Sequence, residues 1–243
     1  MAQHYGPNIV TDGLVGYWDA ADKNSYPGSG TTWKDLSGNG YNGTLTNGPT
    51  FDSGNGGSIV FDGSNDYVDI PDMGFTGNAA ISVDAWVKCD SLSDRNGIFT
   101  IGIAAAMERI DFEAGTPYSS DAGNIGIHFS SYTWSTDTDI LVAGQWHHIV
   151  FTITGTSTIP GNLAYYIDSK SQTITQEQGS GAQTLDLENT NYFIGARREG
   201  DADGAATSLF HDGGVANLKV FNKALSAAEV VQNFNAQRSR FGV

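Results

Sequence analysis

Cysteine is nearly absent: the chain has one, Cys89, in 243 residues. A lone thiol closes no internal disulfide, which excludes the cross-linked scaffold of small secreted domains. Basic residues are scarce too. Lys and Arg number 12 against 27 Asp and Glu, a formal charge of −15. Such a surface repels phosphate backbones and excludes nucleic-acid binding through an electrostatic footprint. It suits solubility, cation binding or docking on a basic partner. No apolar run approaches the ~20 residues of a membrane span, so no membrane insertion is expected. The opening MAQHYGPNIV has neither the basic region nor the apolar core of an export signal, which points to synthesis in a reducing cytoplasm. The Ala, Leu, Glu and Lys richness of a helix bundle is also missing.

What fills the composition instead is Gly, 31 residues where ~7% is ordinary, with many Asn, Asp, Ser and Thr. These residues favour turns, so the chain reverses direction often. Apolar residues make up only 39%, yet 12 Phe, 10 Tyr and 5 Trp supply enough surface for a core and exclude disorder. At ~100–200 residues per domain the length admits one or two domains, and all-β folds of this size are routinely single. Without a fixed-period repeat or a dividing linker, one domain over 1–243 is expected, with a core at about 14–234, an arm at 1–13 and a tail at 235–243.

Residues 81–88 alternate cleanly, with Ile81, Val83, Ala85 and Val87 on one face and Ser82, Asp84, Trp86 and Lys88 on the other, the mark of a strand. Further strands are expected at 14–18, 58–61, 67–70, 97–103, 109–112, 124–129, 146–153, 163–167, 192–196 and 215–221. Turn signals recur between them in the rhythm of a sandwich or jelly roll. Asp62-Gly63-Ser64-Asn65-Asp66 reads as a hairpin turn joining its two flanking strands. One helix is signalled: Ser226 and Glu229 form a capping box, Leu225 and Val230 a hydrophobic staple. It is expected to lie across the end of the sheets. The fold class is therefore all-β, an antiparallel two-sheet jelly-roll sandwich with one short C-terminal helix.

Several motifs carry possible chemistry. Gly38-Asn39-Gly40-Tyr41-Asn42-Gly43 has the dinucleotide spacing, but the TLTNGP that follows cannot start the helix such a site needs. It reads as a turn. Asp35, Ser37 and Asn39 alternate as in a calcium loop, without the bidentate Glu that would complete an EF-hand. Asp35, Asn39, Asp62, Asn65, Asp66, Asp201 and Asp203 are nonetheless candidate oxygen ligands for calcium, against the plainer reading that such residues make turns. Glu108-Arg109-Ile110-Asp111-Phe112-Glu113 approaches the Glu-x-Asp-x-Glu strand of laminarinase-type glucanases, which retaining chemistry uses for its carboxylate pair. Arg109 occupies the first of those positions, so no catalytic residue is assigned. His147 and His148 are adjacent in a strand and cannot pinch one metal; one is expected in the core and the other solvated. Tyr26, Tyr41, Tyr118, Tyr132 and Trp134 sit among Gly, Ser, Asn and Thr. In loop-like settings, such aromatics are candidates for stacking on a sugar ring, against the plainer reading that they cap the sandwich ends or form a protein interface.

Five segments in order, WKDLSGNG (33–40), VFDGSNDYV (60–68), VDAWV (83–87), QWHHIV (145–150) and VFNKALSAAE (220–229), resemble the laminin-G-like, concanavalin A-like jelly-roll family. The resemblance implies two curved antiparallel sheets, a short C-terminal helix and, in some members, calcium held by acidic loops. Such jelly rolls serve as lectins, adhesion modules and hydrolases alike. NIVTDGLV (8–15), SYPGSGTTW (25–33) and FNAQRSRFG (234–242) are similar to modules in structural proteins of tailed bacteriophages, marine ones especially. That narrower resemblance implies a non-enzymatic virion protein made in the host cytoplasm and displayed on the virion surface. It would act as a capsid decoration or fibre-type module, docked in many copies or as a homo-oligomer on other virion proteins, and able to bind glycans. The alternatives are a soluble carbohydrate-binding lectin and a glycoside hydrolase.

Overall fold

The computed structural model describes residues 7–103, 107–115, 123–129, 131–137, 140–156, 158–188, 190–198 and 207–243. Among these, the strands form two large antiparallel sheets. The first contains β1 (Leu14–Asp19), β4 (Thr50–Asp52), β5 (Ser58–Asp62), β7 (Ile81–Cys89), β12 (Trp146–Ile153), β13 (Leu163–Ile167), β14 (Lys170–Gln172) and β19 (Asp212–Phe221). The second contains β2 (Thr32–Trp33), β3 (Gly43–Thr46), β6 (Tyr67–Ile70), β8 (Asn96–Gly102), β9 (Arg109–Gly115), β10 (Asn124–Phe129), β11 (Tyr132–Thr136), β15 (Ile174–Gln178) and β16 (Tyr192–Ile194). A small ribbon pairs β17 (Arg197–Arg198) with β18 (Thr207–Ser208).

The first sheet runs β14-β13-β12-β7-β19-β5-β4, and β1 shares an edge of β19 with β5. β5 pairs with residues 212–215 of β19 and β1 with residues 217–221. The second sheet runs β15-β11-β10-β9-β8-β16-β6-β3-β2. Strand alternation directs one face of each sheet into a common core: Ile81, Val83, Ala85 and Val87 from β7 meet Ile110, Phe112 and Ala114 from β9, with Trp18, Trp33 and Trp134 fully buried among them. Phe112 packs edge-on against Phe151 of β12 at 5.0 Å. Burial of this apolar surface is the main stabilising term.

The expected hairpin at 62–66 does not form. β5 pairs with β4 and β19, whereas β6 pairs with β3 and β16. The Asx-rich turn is therefore a crossing between the sheets. Its local chemistry is that of a tight turn, but turn chemistry does not say which edges the strands join.

The helix α1 (Ala227–Gln237) begins at the expected box, with the Ser226 hydroxyl accepting from Glu229 N and the Glu229 carboxylate accepting from Ser226 N. Leu225 and Val230 share one buried cluster with Val150, Tyr166 and Phe221. The helix does not lie across the sheet ends: it covers the outer face of the first sheet. There Asp84 takes Lys219 Nζ at 2.8 Å, His148 Nε2 at 3.1 Å and Asn233 Nδ2 of the helix at 2.9 Å. Trp86 stacks on Phe241 at 4.1 Å and lies near-parallel to Phe234 at 5.7 Å. The polar side of β7 is thus buried from Ser82 to Trp86, and Lys88 at its end stays half-buried. Both histidines are buried too, correcting the expectation that one is solvated. His148 lies beneath the helix, while His147 pairs with Asp168 at 2.9 Å and accepts from Val142 N.

Candidate functional site

Since Ile110, Phe112 and Ala114 enter the core, alternation sends Arg109, Asp111 and Glu113 to the outer face of the second sheet. Register aligns Thr100, Asp111, His128 and Thr133 across β8, β9, β10 and β11. Arg109 Nε lies 2.7 Å and Arg197 Nε 3.3 Å from Asp111 Oδ2, and the Thr100 hydroxyl donates to Asp111 Oδ1 at 3.0 Å. Arg95 Nη2 lies 2.5 Å from Glu113 Oε2. All three of these β9 residues are at most 1% exposed.

Burial pushes the Asp111 carboxyl up to about 7, with Arg109 opposing the shift and Glu113 adding to it. Burial raises Glu113 as well, against the pull of Arg95. His128 is pushed down to about 3, first by burial and then by the arginines, so its ring is neutral, with Nδ1 2.8 Å from the Thr133 hydroxyl. Retaining glycoside hydrolysis needs an ionised nucleophile and a proton donor about 5–5.5 Å apart on an open face. Here a guanidinium stands at the first position of the strand motif, and both remaining carboxyls are buried with a guanidinium nitrogen within 3.3 Å.

The five candidate aromatics fall in different places. Tyr132 and Trp134 are not in a loop but on β11, where Trp134 points into the core and Tyr132 stacks on it at 6.2 Å. Tyr26 is buried, its hydroxyl donating to Gly30 O at 2.8 Å and its ring 5.6 Å from Phe51. Tyr118 lies outside the described residues. Tyr41 is half-buried in the turn preceding β3.

That turn is organised by Asp35, whose carboxylate accepts from the N–H groups of Tyr17, Ser37, Gly40 and Tyr41. Gly38 and Gly40 adopt φ of 93° and 85°, and the chain then enters β3, so the dinucleotide spacing is a turn. Asp62 accepts from Ser64 N and Asn65 N, and Asp66 from Asp62 N. Burial raises the Asp66 carboxyl, with Asp62 adding to the shift. Asn65 accepts through its backbone oxygen from Asn47. Asp201 and Asp203 lie outside the described residues. Among the described residues no group of three or more His, Cys, Asp or Glu is placed to hold a metal.

Two picked residues, Asn39 and Tyr41, converge on a groove of about 580 Å³ where the start of β1, the 35–41 turn and the β6–β7 loop meet. The far wall is held by Asp72, which accepts from Gly74 N at 2.8 Å and from the Tyr192 hydroxyl at 3.1 Å. Gly74 takes φ 79° there, a value costly for any other residue. Met73 and Phe75 on either side turn into the core and form an apolar base. Thr76 and Asn222 complete the rim. Sequence reasoning missed these two, and also Arg95 and Arg197 of the β9 cluster. No local motif marks them, because the fold brings each to its site from a segment distant in sequence.

A profile of the laminin-G family Laminin_G_3, described as the concanavalin A-like lectin/glucanases superfamily, matches residues 62–231, well over half the chain. The chain belongs to that superfamily. Among solved structures it is similar to domain 4 of AbnA, a GH43 extracellular arabinanase from Geobacillus stearothermophilus solved with arabinotriose. Identity is 17%, the TM-score 0.62, and the match covers 91% of this chain and 98% of that one. Trypanosoma rangeli sialidase in complex with sialic acid shares 15% identity at a TM-score of 0.60, with 94% of this chain covering 33% of that one. The botulinum neurotoxin serotype D binding domain shares 12% identity at 0.63, with 95% of this chain covering 53% of that one. At these identities the likeness shows the superfamily fold alone. No curated protein matches the sequence.

Proposed function

We propose that this member of the superfamily is a non-catalytic carbohydrate-binding module. The observation that carries the reading is the state of β9: Arg109 replaces a carboxylate, and Asp111 and Glu113 are buried against three guanidiniums. A face sealed in this way binds its own arginines where a hydrolase needs open acids. The fold's carbohydrate-related neighbours support the sugar-binding half of the reading. Incubation with a panel of β-glucans and arabinans tests it. The expected outcome is retention of polysaccharide in affinity electrophoresis with no new reducing ends. Turnover that disappears in Asp111→Asn or Glu113→Gln contradicts it.

For the biological setting, we propose display on a bacteriophage virion, as a capsid decoration or fibre-type module docked on other structural proteins. This rests on the phage-like segments at 8–15, 25–33 and 234–242. Mass spectrometry of purified particles is expected to find the chain in many copies; its absence from virions sinks this setting and leaves the binding reading intact.

A further inference from the structure

The molecule carries a charge of −15, yet the groove beside Tyr41 has no charged side chain in its lining. Its polar groups are amides and hydroxyls: Asn39, Tyr41, Thr76 and Asn222. Asn39 donates its amide hydrogens to Val15 O and Ser37 Oγ, which fixes the side chain and keeps Oδ1 free to accept. The Tyr41 and Thr76 hydroxyls and the Asn222 amide make no hydrogen bond to any other described residue. Beneath them Met73 and Phe75 supply an apolar floor. The walls are held in place: Asp35 anchors the turn that carries Tyr41, Trp18 Nε1 donates to Tyr41 O at 3.0 Å, and Tyr192 and Asp72 brace the opposite loop.

An aromatic ring, an apolar floor and a few neutral donors and acceptors match a ligand that is itself amphipathic and uncharged. The volume falls within the ~300–1,000 Å³ of small-ligand sites. An anion would gain no cation here and would meet the field of an acidic protein. A divalent metal would find no carboxylate in the lining, and hard cations take oxygen ligands that include carboxylates. We propose that this groove binds a neutral oligosaccharide, with a sugar ring against Tyr41 and its hydroxyls met by Asn39, Thr76 and Asn222, without calcium. The proposal deepens the carbohydrate-binding reading and rests on it.

A glycan array probed with the full chain, with and without EDTA, tests it against three variants. Tyr41→Ala removes the ring. Thr76→Trp fills the groove from an exposed position, and so keeps the test valid if Tyr41→Ala unfolds. Asn222→Asp places a charge at the rim. The expected result is binding of neutral glycans that survives EDTA and weakens about tenfold or more, ~1.4 kcal/mol, in Tyr41→Ala and Thr76→Trp, with far-ultraviolet circular dichroism and cooperative thermal unfolding retained. Binding that is indifferent to Thr76→Trp, restricted to acidic glycans, or abolished by EDTA overturns the groove assignment while the carbohydrate-binding reading stands. A flat array with a folded protein overturns both.

Discussion

Asp111 and Asp84 are both buried carboxyls among cations, yet their surroundings drive them in opposite directions. Asp111 is raised to about 7, by burial first, with Glu113 adding to it. Its folded form prefers the proton, so its contribution to stability is full below the ordinary carboxylate range and is lost as pH rises towards 7. Asp84 is also penalised by burial, but Lys219 and His148 outweigh that and hold it well below the ordinary range. Its contribution is present at neutral pH and is lost as pH falls below ~4. Chemical denaturation between pH 4 and 7 is therefore expected to show a change of stability with pH that is more positive in Asp111→Asn than in the unaltered chain. An unchanged slope contradicts the raised Asp111. At this scale the sequence was half legible. Period-two alternation alone places Arg109, Asp111 and Glu113 on one face, but Arg95 and Arg197 come from other strands and leave no local trace.

At the scale of elements, the C-terminal helix holds the outer face of the first sheet through one polar network. Lys219 Nζ bonds Asp84, Asn217 and Gln237 at 2.8, 2.8 and 3.0 Å, and all of this is buried. Removing one partner of such a pair strands the other, a loss of about 3–5 kcal/mol. Lys219→Met is thus expected to lower Tm by about 10 °C, since ~1 kcal/mol shifts a domain of this size by ~2–4 °C. Ser226→Ala loses only a cap, ~1 kcal/mol, and is expected to lower Tm by a few degrees on the same scale. Differential scanning calorimetry checks both; equal small shifts would mean that the network is dispensable.

The helix was readable because a capping box is a local event. Its seat was not, because Ser82, Asp84 and Trp86 look like a solvent-facing row until the chain end folds back over them. Residues 132–136 were missed as a strand because Ser and Thr alternate there with aromatics, a pattern shared by polar loops. The turn at 62–66 was seen, but its strands part into different sheets.

For the whole molecule, the sandwich, its strand rhythm and its superfamily were legible from ordered segments spread along the chain, since each marks a fixed place in one topology. The groove was legible only in part. Asn39 and Tyr41 lie close in sequence, whereas Thr76 and Asn222 join them through the packing of β1 against β19 and of the β6–β7 loop. The acidic exterior and the neutral groove are then complementary features: the field of a −15 chain disfavours anions, while the groove offers neutral groups to an uncharged ligand.

As proposed, the module binds sugar without cleaving it. Titration calorimetry with a saccharide retained by the protein, followed by mass spectrometry of that saccharide after prolonged incubation, tests both halves at once. Saturable binding and recovery of the saccharide at its original length are expected. Shortened products, or no heat of binding from a folded protein with any saccharide tried, would contradict it.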